Sequence, residues 1–296
     1  MQGFIHIFKV NQKQQPTFNV ENLLKKYKSD SLLVSKRNNE TIESFYFTNE
    51  HAYYPYFNRT TNMFTPVGVF TRNINQIEEF LINANNFERK AYVRDLGGQF
   101  ALGFSDFLKD EVHLFTHIAR IETLYSYVSK DLIIVGTDPL IISLLATNEQ
   151  VEFDLNAMYS FILNGYYGDD MTPYKNVYAL PGNSHIVINK SGVHIDQIDE
   201  SYSNLLNTKY SKSDYDTLTD TFLNGFNTQG KKDEFKMALT GGKDSRLIFA
   251  AMNSNKFDLS VFTNGFEDNP DVVIAKKIAT MYDIKHKTTR DRKSVV

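Results

Sequence analysis

The sequence predicts an α+β domain of mainly antiparallel strands, followed by the opening part of a parallel α/β domain. Three observations predict it. Short alternating runs bounded by turn residues fill the chain from about Phe4 to Asn189, with few helical patterns between them. After the polar stretch Ser201 to Tyr215 the order becomes strand, helix, strand, helix, strand. The 296 residues suffice for two domains of ordinary size, each with its own core.

In the first region the clearest strands are Gln99 to Phe104, Glu111 to Phe115 and Asp131 to Val135, with Ser105 to Asp110 joining the first two as a hairpin. Apolar residues at three-to-four spacing predict helices over Asn75 to Ala84 and Leu155 to Asn164. Ser201 to Tyr215 reads as the linker. Beyond it, Phe235 to Thr240, Leu259 to Thr263 and Ile284 to Lys287 read as strands, and Asp244 to Asn253 and Asp271 to Tyr282 as helices. A parallel sheet normally has more strands than these three, so the second domain is expected to be partial, ending at Val296.

Composition narrows the function classes. A net charge of -3 argues against a nucleic-acid partner or a charged membrane surface. There is no cysteine, which excludes disulfides, thiolate metal sites and a cysteine nucleophile. The amino terminus lacks a signal-peptide pattern, and the apolar stretch Leu132 to Leu145 is broken by Asp138 and Pro139 and too short to span a bilayer, so cytosol is the expected location. His113 and His117 lie four apart on one face of a strand region without a third ligand at a suggestive spacing, and read as cross-strand packing. Lys231-Lys232 and Lys276-Lys277 read as solvated faces.

The chemistry concentrates in Thr240-Gly241-Gly242-Lys243-Asp244-Ser245. A phosphate at a strand's end needs outward N–H groups, no Cβ in the way and the positive end of a helix. The two glycines clear the side chains, Thr240 and Ser245 add hydroxyls, and Asp244 is a ligand for Mg²⁺ beside a polyphosphate. The spacing is not that of a Walker loop. The plainer alternative is a tight turn with Asp244 as a helix cap.

Thr240 to Arg246 resembles the SGGxDS pyrophosphate loop of the N-type ATP pyrophosphatases, with Thr240 in place of the first serine. Val261 to Phe266, then Asp271, Ala275, Ile278-Ala279 and His286, is similar to the asparagine synthetase branch of that group. In the first region Gly98 to Asp106, Ala119 to Tyr127 and Val135 to Pro139 resemble the class II glutamine amidotransferase domain, and Asn156 to Gly165, Thr172 to Val177 and Leu180 to Asn183 the segment joining the two domains. The resemblance implies an Ntn-type α+β sandwich over about residues 1–205, then a partial α/β Rossmann-like (adenine nucleotide α-hydrolase-like) domain over 206–296. It implies ATP and Mg²⁺ as cofactors, with Leu239, Asn264 and Gly265 against the adenine; Lys243 is variable in the family and, from its place beside the loop, reads as an auxiliary phosphate contact. It implies a ligase that activates a carboxylate as its adenylate, releases pyrophosphate and transfers the acyl group to an amine; acceptor acid and amine donor stay open.

Two departures qualify that expectation. The glutaminase of this family uses an amino-terminal cysteine, and Gln2 stands in its place, so the front domain is expected not to hydrolyse glutamine. The family's synthetase domain runs well past the third strand. A fragment, a chain completed by a separate C-terminal partner, a non-catalytic ATP-binding or partner-binding protein, and a subunit like a β-lactam synthetase or peptide cyclase are the alternatives.

Overall fold

The computed structural model describes residues 2–11, 19–49, 57–58, 60–199, 209–226 and 234–289. The chain divides into two compact units, Met1–Ser203 and Asn204–Val296.

Among its described residues the first unit contains two antiparallel sheets of six strands each. One takes β1 (Gln2–Lys9), β2 (Leu32–Asn38), β3 (Ile42–Asn49), β8 (Tyr125–Val128), β9 (Leu132–Gly136) and β10 (Val177–Ala179), in the order β10-β8-β9-β1-β3-β2. The other takes β4 (Phe57–Asn58), β5 (Asn62–Phe70), β6 (Gly98–Asp106), β7 (Glu111–Thr116), β11 (Ser184–Asn189) and β12 (Gly192–Gln197), in the order β12-β11-β7-β6-β5-β4.

Side-chain alternation sorts the core into three layers. Phe4 and Phe8 of β1 meet Met63, Ala101 and Leu114 between the sheets. Ile5 and Ile7 of β1 point the other way, onto α1 (Val20–Tyr27) and α4 (Pro139–Ala146). Phe100, Leu102 and Phe104 of β6 lie under α2 (Ile74–Asn83) and α3 (Asn86–Arg94). The unit is therefore a four-layer sandwich, helices outside and sheets inside. Its central strands are buried on both faces, which explains why β1 and β9 read as almost unbroken apolar runs.

Five helices form in the described part of this unit where periodicity predicted two. Helix α4 is apolar on every side and so shows no period; the Asp138-Pro139 break is its start, Asp138 capping the Ile141 N–H and Pro139 opening the first turn. Helix α3 is mostly polar, but Asn85 and Glu88 form a capping box. The fifth, α5 (Leu155–Asn164), has the predicted bounds, capped by Asp154 and closed by Gly165 in the left-handed region. Only Ala157 of α5 is buried, while Ile162 and Leu163 are 72% and 81% exposed.

Among its described residues the second unit holds a parallel sheet of three strands, in chain order. Its elements are α6 (Lys212–Gly225), β13 (Phe235–Ala238), α7 (Lys243–Ser254), β14 (Leu259–Asn264), α8 (Pro270–Met281) and β15 (Lys285–Thr289). Phe249 and Met252 of α7 and Ala275 and Ala279 of α8 pack with Leu259 and Val261 of β14. The opposite face is open, with Lys236, Ala238, Lys285 and Lys287 exposed. Ser211 and Asp214 form a capping box, so the end of the expected linker is the first turn of α6, a helix with no buried residue. Most of that linker, Lys231-Lys232 and the tail from 290 lie outside the described residues. Among the described residues no helix is long and apolar enough to cross a membrane.

Candidate functional site

The glycine-rich segment forms a turn between β13 and α7, and the helix starts at Lys243 with Gly242 as its N-cap residue. Gly242 supplies no side-chain cap, and Asp244 is the second residue of the helix, so the plainer reading of Asp244 as the cap is not what forms. The first-turn N–H groups of any helix lack intrahelical acceptors, and here Lys243 and Asp244 of that turn are exposed. Thr240 Oγ1 lies 3.0 Å from Ser245 Oγ and accepts the Gly242 N–H at 3.1 Å, while the Thr240 N–H donates to Ser245 Oγ at 3.1 Å. The two hydroxyls thus shape the turn from inside. Arg246 folds back to donate from Nε to the Gly242 carbonyl at 3.2 Å. Lys243 and Asp244 are exposed beside the loop.

The two glycines have different jobs. A methyl on Gly241 would lie 2.8 Å from Ile274 Cδ1 and 2.9 Å from Asp271 Oδ1, so its bareness admits α8. A methyl on Gly242 would meet only Thr240 Oγ1, at 3.2 Å, leaving its other side open. Gly242 is the glycine that faces outward.

Asn264 ends β14, the strand beside β13, and Gly265 follows it, so in a parallel sheet they lie at the same end as the loop. Asn264 is exposed; Gly265 has φ 148°, a left-handed backbone suited to glycine, and donates to the Thr289 carbonyl at 3.0 Å. Leu239 is placed differently. Its side chain is 0% exposed within the core, its N–H donates to the Phe262 carbonyl and its carbonyl accepts from Thr263 Oγ1. It stands behind the loop as support. His286 lies within β15, 2.9 Å through Nε2 from Thr263 Oγ1, so it reaches the carbonyl before the loop through one hydroxyl.

One contact escaped sequence reasoning. The Gly241 N–H donates to Asp271 Oδ1 at 2.8 Å, across 30 positions of chain. The Asn269-Pro270-Asp271 start of α8 was the available signal, since Asn269 caps that helix through the Asp271 N–H.

In the first unit Gln2 opens β1, and its side-chain amide donates to the Tyr46 hydroxyl and to the Pro66 carbonyl, tying the two sheets. Deeper between the sheets, the His6 ring lies 2.8 Å from Ser44 Oγ and 3.0 Å from Ser105 Oγ through Nδ1, and 3.0 Å from Thr65 Oγ1 through Nε2. Burial lowers the His6 pKa to about 3, so the ring is neutral there. His113 stacks on Phe104 and lies 3.1 Å from His185, and His117 packs edge-on to Phe100. These histidines are packing residues; among the described residues no group of three or more His, Asp or Glu could hold a metal.

No family model matches the chain, and no curated protein matches its sequence. Among solved structures the chain is similar to a glutamine phosphoribosylpyrophosphate amidotransferase from B. subtilis complexed with ADP and GMP, at TM-score 0.38 and 10% identity over 98% of this chain and 67% of that one. It is similar to an allosteric regulatory enzyme of purine biosynthesis at TM-score 0.33 and 9% identity, covering 98% of this chain and 74% of that one. A glutamine aminotransferase class-II domain protein from Silicibacter pomeroyi matches at TM-score 0.29 and 11% identity, over 67% of this chain and 98% of that one. Similarities this low leave the chemistry to be argued from the chain's own residues.

Proposed function

We propose that the second unit binds ATP, its polyphosphate on Thr240 to Ser245 and its base beside Asn264 and Gly265, in an asparagine-synthetase-like ligase that joins a carboxylate to an amine. What supports the reading above all is the turn at the end of β13. A glycine with one open side stands directly before a helix that no side chain caps, and two hydroxyls brace the turn from behind. The exposed Asp244 fits the cation, because Mg²⁺ is usually held by one or two carboxylates together with substrate phosphates. ATP would supply the leaving group that activates the carboxylate. The loop's share is electrostatic: N–H groups and Lys243 stabilise the negative charge that departs as pyrophosphate.

On this reading residues 206–296 are a Rossmann-like synthetase portion and 1–205 an amidotransferase-like scaffold of Ntn type. Gln2 serves there as a bridge between sheets and not as a nucleophile, so the amine reaches the enzyme as such and not from glutamine. One observation favours a second, binding-only reading: the N–H groups of Thr240, Gly241 and Gly242 already have internal acceptors, which leaves them less to add to the charge developing on a departing pyrophosphate.

The test is calorimetric titration of the full chain with ATP and Mg²⁺, followed by a pyrophosphate-release assay with candidate acids and amines. Gly242→Val should abolish ATP binding and leave both units folded, since the added carbons enter open space on the ligand side. ATP affinity unchanged in that variant would sink the site. Binding without pyrophosphate release under any pairing would favour the second reading.

A further inference from the structure

The loop carries an anion of its own. Of the acceptors that hold the N–H groups of Thr240, Gly241 and Gly242, two are hydroxyls within the loop, and the third is the Asp271 carboxylate, brought from the first turn of α8. A carboxylate oxygen on a backbone amide at a helix start does what a phosphate oxygen would do there. The approach is built in, because only glycine at position 241 leaves room for Asp271 Oδ1 and Ile274. Asp271 is exposed, so its carboxylate can leave the amide for water without stranding a buried charge.

We propose, resting on the polyphosphate reading above, that Asp271 is the loop's internal competitor: its carboxylate occupies the Gly241 amide until a polyphosphate oxygen displaces it. The displaced carboxylate then stands beside a second, larger negative charge. Without a cation the two repel, and with Mg²⁺ between them they share it. Affinity in the natural chain therefore depends steeply on the divalent cation, and Asp271 sets that dependence.

The experiment uses the full chain, inorganic pyrophosphate as the probe, calorimetry with and without Mg²⁺, and the Gly241 amide resonance in an ¹⁵N spectrum. Asp271→Asn keeps the side chain's shape and an acceptor for the amide but removes the charge. Metal-free pyrophosphate should bind about fivefold more tightly to this variant, the size of one like charge removed at short range in water. The gain on adding Mg²⁺ should shrink, and the Gly241 resonance should move on binding in both proteins. Should Asp271→Asn fail to fold, judged by its melting curve, Asp271→Ser gives the same readings. Metal-free affinity equal to or weaker than that of the natural chain would overturn the competitor role while leaving the loop as the polyphosphate site. No movement of the Gly241 resonance in either protein, with Mg²⁺ or without, would overturn the site and the competitor role together.

Discussion

The two units cover their sheets in opposite ways. In the first, β1, β3 and β6 are buried along almost their whole length, because helices lie on the outer face of each antiparallel sheet. In the second, burial alternates along β13 and β15, and one face of a parallel sheet carries lysines to solvent. Sheets usually behave the other way round, antiparallel ones tolerating water on one face and parallel ones being covered on both. Strand direction alone therefore says little about where a core will be. The contrast also predicts that the first unit draws its stability from within, and that the second opens more readily, having less buried surface per strand.

Acid should sharpen this contrast most. Burial holds His6 at about 3, His113 at about 2 and His185 at about 4, against an ordinary value of 6.5. The unfolded chain takes up protons on these rings below pH 6.5 while the folded unit does not. Their contribution is thus complete above that pH and falls away as the pH drops toward 4. Each ring removes at most about 1.4 kcal/mol per pH unit, so three together cost several kcal/mol by about pH 5. Melting curves between pH 7 and pH 4.5 should show the first unit's transition falling well before the second's; a flat first transition would contradict the buried neutral histidines.

Gly103→Val should break the first unit from its centre. Even a methyl there would lie 2.6 Å from Thr65 Oγ1 and 2.7 Å from His6 Nε2, so a branched side chain should cost about 3 kcal/mol. A second transition that stays in place while the first falls would show that the units melt separately; one joint shift would show that they do not. The smallest effect belongs to α5. Leu163→Glu, on the side of that helix facing solvent, should change stability by under about 0.5 kcal/mol, measured by denaturant titration. A larger loss would mean that α5 is covered in solution.

What could be read in the sequence followed from how local its cause was. The bounds of α5 were legible because its cap, its period and its closing glycine are all neighbours. The glycine-rich turn was legible for the same reason. Helix α4 was hidden because a helix apolar all round has no period, and the first turn of α6 was read as linker although Ser211 and Asp214 already spelled a capping box. Asp271 on Gly241, Gln2 on Tyr46 and Leu239 against Phe262 and Thr263 are products of tertiary packing; the Asn269-Pro270-Asp271 helix start marks where α8 begins but does not name its partner 30 positions away.

Strand β1 reads Phe4-Ile5-His6-Ile7-Phe8, the same in either direction about its middle residue. Apolar contact alone would hardly distinguish the sheets as they stand from sheets slid along by four residues, about 13 Å, with Phe8 where Phe4 had been. The His6 ring removes that ambiguity. It has directional partners on both sheets, Ser44 on its own and Ser105 and Thr65 on the other, and a slip would bury it against carbon. The polar centre of the sandwich thus acts as a vernier, fixing which rung of one sheet faces which rung of the next.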